Sequence, residues 1–242
     1  MQGRLHVLAA ALALGLVTAC APSPEREPEM ITRDLLAHPD SRQLWRAVER
    51  HYPAEFADLV EKIRALEPAE RDGSPAMRRV VDAWLGKLFQ SVYPDIAHAS
   101  PQTLRKMVKA DVRFTETLAQ VSPDLCARYD IEGSITLGDE PELVKAKAAM
   151  AKLNAASIIA AAEGRDKPVQ HADPSEAERD KAGANLLAQN IDRSALAALG
   201  NAAAVRALPR DQVCTLSLGI KRAIVQLPDD SLARMVADQI GQ

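Results

Sequence analysis

Asp95 and His98 stand three residues apart in the run Asp-Ile-Ala-His and are the chain's nearest approach to a recognised metal motif. On a helix this spacing puts a carboxylate and an imidazole on adjacent turns, within reach of one divalent cation. A helical zinc hydrolase would need His-Glu-x-x-His, and a di-iron bundle Glu-x-x-His on two helices. Neither occurs, so the pair, lying between two proline-marked helices, is read as structural and no metal is expected. The other histidines beyond the leader, His38, His51 and His171, scatter among loops and helix ends, where imidazole caps carbonyls or meets water.

A Gly-x-Ser-x-Gly elbow, Ser-x-x-Lys, a P-loop and a Cys-x-x-Cys-His haem attachment are all missing. The common hydrolase, kinase and cytochrome routes lack their parts, and no cofactor is expected. A carboxylate pair of the glycosidase kind stays open, because such pairs are distant in sequence and the chain holds 33 acidic residues. Asp229-Asp230 precedes the last helix and is read as complementing its N-terminal dipole. The densest basic cluster is Arg105, Lys106, Lys109 and Arg113. Residues 105, 109 and 113 share one helical face with Lys106 beside them, while Asp111 and Glu116 partly balance them elsewhere. A solvated face is the plain reading; the functional one is a docking surface for an anionic partner, either lipid headgroups or an acidic protein.

Three cysteines carry the remaining chemistry: Cys20, Cys126 and Cys214. The chain opens with Met1, a positive charge at Arg4 and an unbroken apolar run from Val7 to Val17, a length that suits a signal h-region. At about 1.5 Å per residue this run covers roughly half of a ~30 Å hydrocarbon core, a poor permanent span. Val17-Thr18-Ala19-Cys20 closes it and resembles the lipobox of bacterial lipoproteins. The resemblance covers the leader alone; the body resembles no family that its residues identify. It implies a diacylglyceryl thioether on the Cys20 sulfur, cleavage before that residue and a third acyl chain on the new amino terminus. Two or more chains hold a protein stably on a bilayer. Ala21, in place of an aspartate, resembles the class sorted to the outer membrane, facing the periplasm. The alternative is an ordinary secretory signal with Cys20 left free.

Removing residues 1–19 takes away one basic residue and no acidic one, moving the formal net charge from −3 to −4. With that balance and only 3% aromatic residues, nothing recruits nucleic acid. Cys126 and Cys214 remain, in a compartment that permits disulfides. A bridge between them would close a loop of about 89 residues, which the chain-entropy model values at roughly 4 to 5 kcal/mol before native strain is subtracted. The alternative is two buried thiols that behave as small apolar residues.

The elements that must position these residues are helices. Residues 20–40 are rich in proline and charge and read as a lipidated N-terminus with a tether, holding a short helix from Ile31 to Ala37. Residues 41–242 form the body. There proline marks helix starts at Pro53, Pro75, Pro101, Pro123, Pro141, Pro174 and Pro209, since its missing N–H would be unpaired in a first turn anyway. Ser74, Ser100, Ser122 and Asp173 precede four of them as N-cap types. Three-four spacing is clear in Phe56, Leu59, Val60, Ile63 and Leu66, and again in Val213, Leu216, Ile220 and Leu227. The alanine-rich run from Ala146 to Ala162 is read as a central helix whose small side chains let its neighbours approach. Ile131 to Leu137, broken by Gly133, is read as a loop, because one faint strand cannot build a sheet. Trp84-Leu85-Gly86 matches a fragment of a tetratricopeptide signature, but the other positions are absent and the proline spacing is irregular.

The expectation is an all-α, irregular multi-helix bundle on a lipid anchor at Cys20, binding or scaffolding an unidentified envelope protein. Two competing classes remain: an envelope-acting hydrolase with dispersed carboxylates, which a deep cleft lined by acids would favour, and a helical carrier or chaperone for an apolar ligand, which a large apolar cavity would favour.

Overall fold

Serine–proline pairs start three helices in the computed structural model, which describes residues 27–241 except 72, 134 and 139. The leader of residues 1–19, the lipobox and Cys20 lie outside the described residues. The chain begins with α1 (Glu27–Ala37), α2 (Arg42–His51) and α3 (Pro53–Arg64), then runs through α4 (Pro75–Ile96), α5 (Pro101–Val121) and α6 (Pro123–Glu132). The Oγ atoms of Ser74, Ser100 and Ser122 accept from the amides of Met77, Thr103 and Leu125 at 3.1, 3.4 and 3.2 Å, with proline in the first turn each time. A 3-10 turn at Pro141–Leu143 leads into α7 (Val144–Asp166).

The second half holds α8 (Glu176–Leu187), the short α9 (Arg193–Ala197) and α10 (Ala202–Ala207), then α11 (Arg210–Val225) and α12 (Asp229–Gly241). Two expected starts shift. Ser175, not Asp173, caps α8, and Glu178 three residues on closes a reciprocal capping box with it. Pro209 is itself the N-cap position of α11 rather than a first-turn residue. No strand occurs among the described residues, and the fold is all-α. Gly133, at φ +72°, ends α6 in the left-handed conformation, and Ile135 and Leu137 then pack as a loop on the core.

The alanine-rich helix is central, as its composition predicts: α7 packs against α2, α4 and α5. Ala146, Ala155, Ala160 and Ala161 are buried along it. The closest approach is at Gly164, where a Cβ would fall 1.9 Å from the Asp95 carbonyl oxygen at the end of α4. A main apolar cluster gathers Val48, Leu59, Ile63, Leu104, Ile158 and Leu232. A second surrounds Cys126 and Cys214, which are joined by a disulfide linking α6 to α11 with Cα atoms 5.3 Å apart. A third, of Ile191, Ala195 and Leu216, lies where α9 meets α11. All three form among described residues, so a chain beginning at Ala21 keeps every packed contact described here.

The segment read as tether through residue 40 is structured from Glu27. Ile31, Leu35 and Leu36 give α1 an apolar stripe that packs on the main cluster, with Leu35 only 6% exposed. Glu27 also pairs with Arg71. Residues 20–26, the rest of the segment read as a tether, lie outside the described residues.

Candidate functional site

A cleft of about 930 Å³ opens between α4, α5, α7, α11 and α12, with the end of α6 contributing to its wall. That volume falls in the range of small-molecule sites. Helical periodicity puts Asp82, Leu85, Gly86, Phe89 and Tyr93 of α4 on one side, three and four residues apart. Met107 and Phe114 of α5, Met150 and Leu153 of α7, Ile220 and Ile224 of α11 and Ile240 of α12 supply the apolar lining. Gly86 widens it: a Cβ built there meets nothing within 4 Å.

A polar node interrupts this apolar wall. Lys221 of α11 donates to Asp111 Oδ1 at 3.0 Å and to Thr115 Oγ1 at 2.9 Å, both on α5. The Tyr129 hydroxyl of α6 donates to the same Asp111 oxygen at 3.0 Å, and the Lys221 ammonium lies 4.6 Å from the Tyr129 ring centroid. Phe114 meets that ring edge-on, centroids 4.9 Å apart. Burial, then the charge and hydrogen bond of Asp111, push the Tyr129 phenol far above its ordinary range, so it stays a protonated donor. Nearby, Ser217 donates to Asp130 at 2.6 Å and Arg128 to Glu132 at 3.4 Å. Asp82 stands at the exposed rim, where burial of its carboxyl raises its pKa and Arg78 partly offsets the rise.

Sequence reasoning missed this node. Asp111 and Thr115, like Ser217 and Lys221, are four residues apart and so lie one turn apart on a single face. Each pair sits on a helix whose neighbours on that side are apolar: Phe114 and Leu118 for one, Leu216 and Ile220 for the other. Polar pairs set into apolar stripes were the available signal.

The basic cluster of α5 does not act as a unit. Arg105 turns to the corner between α11 and α12, donating to the Asp229 carboxylate, to the Val225 carbonyl at 2.7 Å and to the Leu227 carbonyl. Three acceptors draw it away from solvent, leaving Lys106, Lys109 and Arg113 as the exposed members. The docking surface expected from four cations is thus reduced to three, and Asp229 serves the Arg105 corner as well as the first turn of α12.

Asp95 and His98 lie at the end of α4, where the His98 carbonyl accepts from Val169 and the imidazole of His171 meets the Ala99 carbonyl at 2.8 Å. Among the described residues no group of three or more His, Cys, Asp or Glu side chains gathers as a metal site. No helix among them is long and apolar enough to cross a membrane. The chain matches no protein-family model, no curated protein and no solved structure.

Proposed function

We propose that this chain is a membrane-anchored binding protein of the bacterial envelope that holds a small amphiphilic molecule in the cleft between α4, α5, α7, α11 and α12. The observation that carries this reading is the cleft's makeup: about 930 Å³ walled by aliphatic and aromatic side chains and interrupted by the Asp111–Tyr129–Lys221 node. Apolar walls favour a hydrocarbon body at about 25 cal/mol per Å² removed from water, and a few fixed polar groups orient a head. The anchor belongs to the same proposal. The leader directs export, acylated Cys20 fixes the chain to membrane lipid, at the outer membrane in the sorting class that Ala21 matches, and the body exchanges ligand with an envelope protein.

Scaffolding through flat apolar faces has less support. Among the described residues the large exposed apolar side chains are Tyr93 on α4, Val144 and Ile159 near opposite ends of α7, Leu187 at the end of α8 and Leu199 between α9 and α10, so no one helix carries a continuous apolar stripe of them. Hydrolysis by a carboxylate pair has one observation in its favour, the raised carboxyl of Asp82, which is the direction a general acid needs. Its counterpart would have to come from Asp111 or Asp130, which already accept hydrogen bonds from Lys221, Tyr129 and Ser217.

The test combines two measurements. Intact mass of the full chain purified from host membranes reports acylation, which Cys20→Ala must abolish. Native mass spectrometry of the chain beginning at Ala21, after incubation with envelope lipid extract, reports a bound amphiphile. An intact bound species supports binding. A shortened product that accumulates with wild type and not with Asp82→Asn supports hydrolysis instead, and an unmodified Cys20 removes the anchor from the proposal.

A further inference from the structure

The ligand's head group can be read from the charges that line the cleft and from which of them are already used. Four acids line it, Asp82, Asp111, Asp130 and Glu132, against two bases, Arg128 and Lys221. Both bases are engaged within the protein. Lys221 directs two of its three N–H donors at Asp111 and Thr115 and lies over the Tyr129 ring, while Arg128 offers its Nε to Glu132. An anionic head would therefore share either cation with a carboxylate that already holds it, and would face two surplus negative charges in the lining. Asp82 is the opposite case. No hydrogen bond or ion pair joins its carboxyl to another described residue, the Arg78 charge one turn before it on α4 only partly offsets its desolvation, and the residue is exposed at the rim. A cation brought to it restores what burial removes.

Gly86 lies one turn beyond Asp82, where the absence of a side chain leaves open space, and Phe89 and Tyr93 follow on the same face. From Asp82 to Tyr93 is about 16 Å at 1.5 Å per residue, a track suited to a long alkyl chain. Tyr93, half-exposed, places a second π-face at its far end.

We propose that the cleft is selective for a cationic single-chain amphiphile, an alkyl amine or quaternary ammonium whose head pairs with Asp82 and whose chain runs along α4 past Gly86 and Phe89. This rests on the reading of the cleft as a ligand site and adds the sign of the ligand's charge. Lys221 acts here as the group that neutralises Asp111 and closes the node to anions.

The experiment is calorimetric titration of the chain beginning at Ala21 with dodecyltrimethylammonium, dodecanoate and a dodecyl glucoside, each below its micelle concentration. The ammonium is expected to bind about tenfold more tightly than the other two, the order of one partly screened ion contact without a hydrogen bond, at 1.4 kcal/mol per decade. The preference should shrink with added salt. Asp82→Asn should lower the ammonium's affinity toward that of the glucoside, and Gly86→Leu should weaken all three probes. Circular dichroism confirms that both variants keep their helices.

Dodecanoate binding as tightly as the ammonium, or three equal affinities, overturns the charge selectivity and leaves the binding reading standing. An Asp82→Asn variant that weakens all probes alike also overturns it, since Asp82 would then only hold the wall in place. Failure of every probe to bind removes the binding reading and this inference together.

Discussion

The Lys221 ammonium lies 3.0 Å from the Asp111 carboxylate and joins α11 to α5 across the cleft. The pair is largely shielded, with side chains 17% and 24% exposed, so its members are costly to leave alone but are not in a dry interior. Lys221→Ala strands Asp111 with the Tyr129 hydroxyl and Thr115 for compensation. The expected loss is roughly 1 to 3 kcal/mol of unfolding free energy in urea. Replacing both partners, Lys221→Met with Asp111→Leu, should recover much of it. A double variant no better than the single one would mean that the pair is not what holds the two helices.

Glu178 is shared between two structures. As the third residue of α8 it accepts from the Ser175 amide at 2.8 Å, and it also takes the Arg234 guanidinium of α12, Nε at 3.0 Å. The hydrogen bond from Arg234 is the largest of the effects that hold its carboxyl far below the ordinary glutamate value of 4.5. A depressed carboxylate pKa contributes stability that is fully present above the unfolded value and is lost as pH falls toward the folded one. The melting temperature of wild type should therefore decline as pH falls below 4.5, and Glu178→Gln should start lower but decline less steeply over the same range. Parallel curves for the two proteins would show that Glu178 titrates as it does in the unfolded chain.

What could be read from the sequence was local. Ser74-Pro75, Ser100-Pro101 and Ser122-Pro123 announce helix starts because a cap and a first turn are made by neighbours. The alanine run announces α7 because only close-packed axes use so many small side chains. Arg105 shows where this stops: beside Lys106 and Lys109 it looks like one more surface cation, and its partner Asp229 is 124 residues away. The cleft was illegible for the same reason. Asp111, Tyr129 and Lys221 sit on three helices whose order in space their irregular connections leave undetermined. Pro22, Pro24 and Pro28 weighed toward a tether, yet the apolar stripe of Ile31, Leu35 and Leu36 was enough to fold the segment onto the core from Glu27.

The Cys126–Cys214 bridge ties α6, which contributes Tyr129 to the cleft, to α11, which contributes Lys221. Cys126→Ala with Cys214→Ala, or reduction of the wild type, should lower stability by about 2 to 5 kcal/mol. The denaturation midpoint should fall, and ligand affinity should weaken with it as the two elements loosen. A midpoint that does not respond to reductant would show that the non-covalent core alone fixes the α6–α11 contact.

Tyr52 is buried at 3% exposure, and its hydroxyl has no hydrogen-bond partner among the described residues. Burial pushes the phenol up to about 12, and the Arg165 guanidinium covers the ring at 4.6 Å. The ring contributes packing while the hydroxyl contributes a desolvation cost. Tyr52→Phe should thus be neutral or raise stability by about 1 kcal/mol, the reverse of the usual large-to-small core change. A clear drop in the melting temperature would mean that the hydroxyl is satisfied in solution.

Gly86 and Gly164 both lie inside long helices, yet a methyl group should act on them with opposite sign. At Gly86 the added Cβ meets nothing within 4 Å, so Gly86→Ala gains only the helix preference of alanine, about 0.5 to 1 kcal/mol. At Gly164 the same atom would fall 1.9 Å from the backbone oxygen of Asp95, and no rotamer can move a backbone carbonyl aside. α4 and α7 would have to separate, an overpacking cost of about 1 to 3 kcal/mol that outweighs the propensity gain. Urea unfolding of the two variants reads the difference directly. If Gly164→Ala proved as stable as Gly86→Ala, the end of α7 would not approach α4 as closely as the packing here requires, and the cleft wall that α4 carries would have to be redrawn.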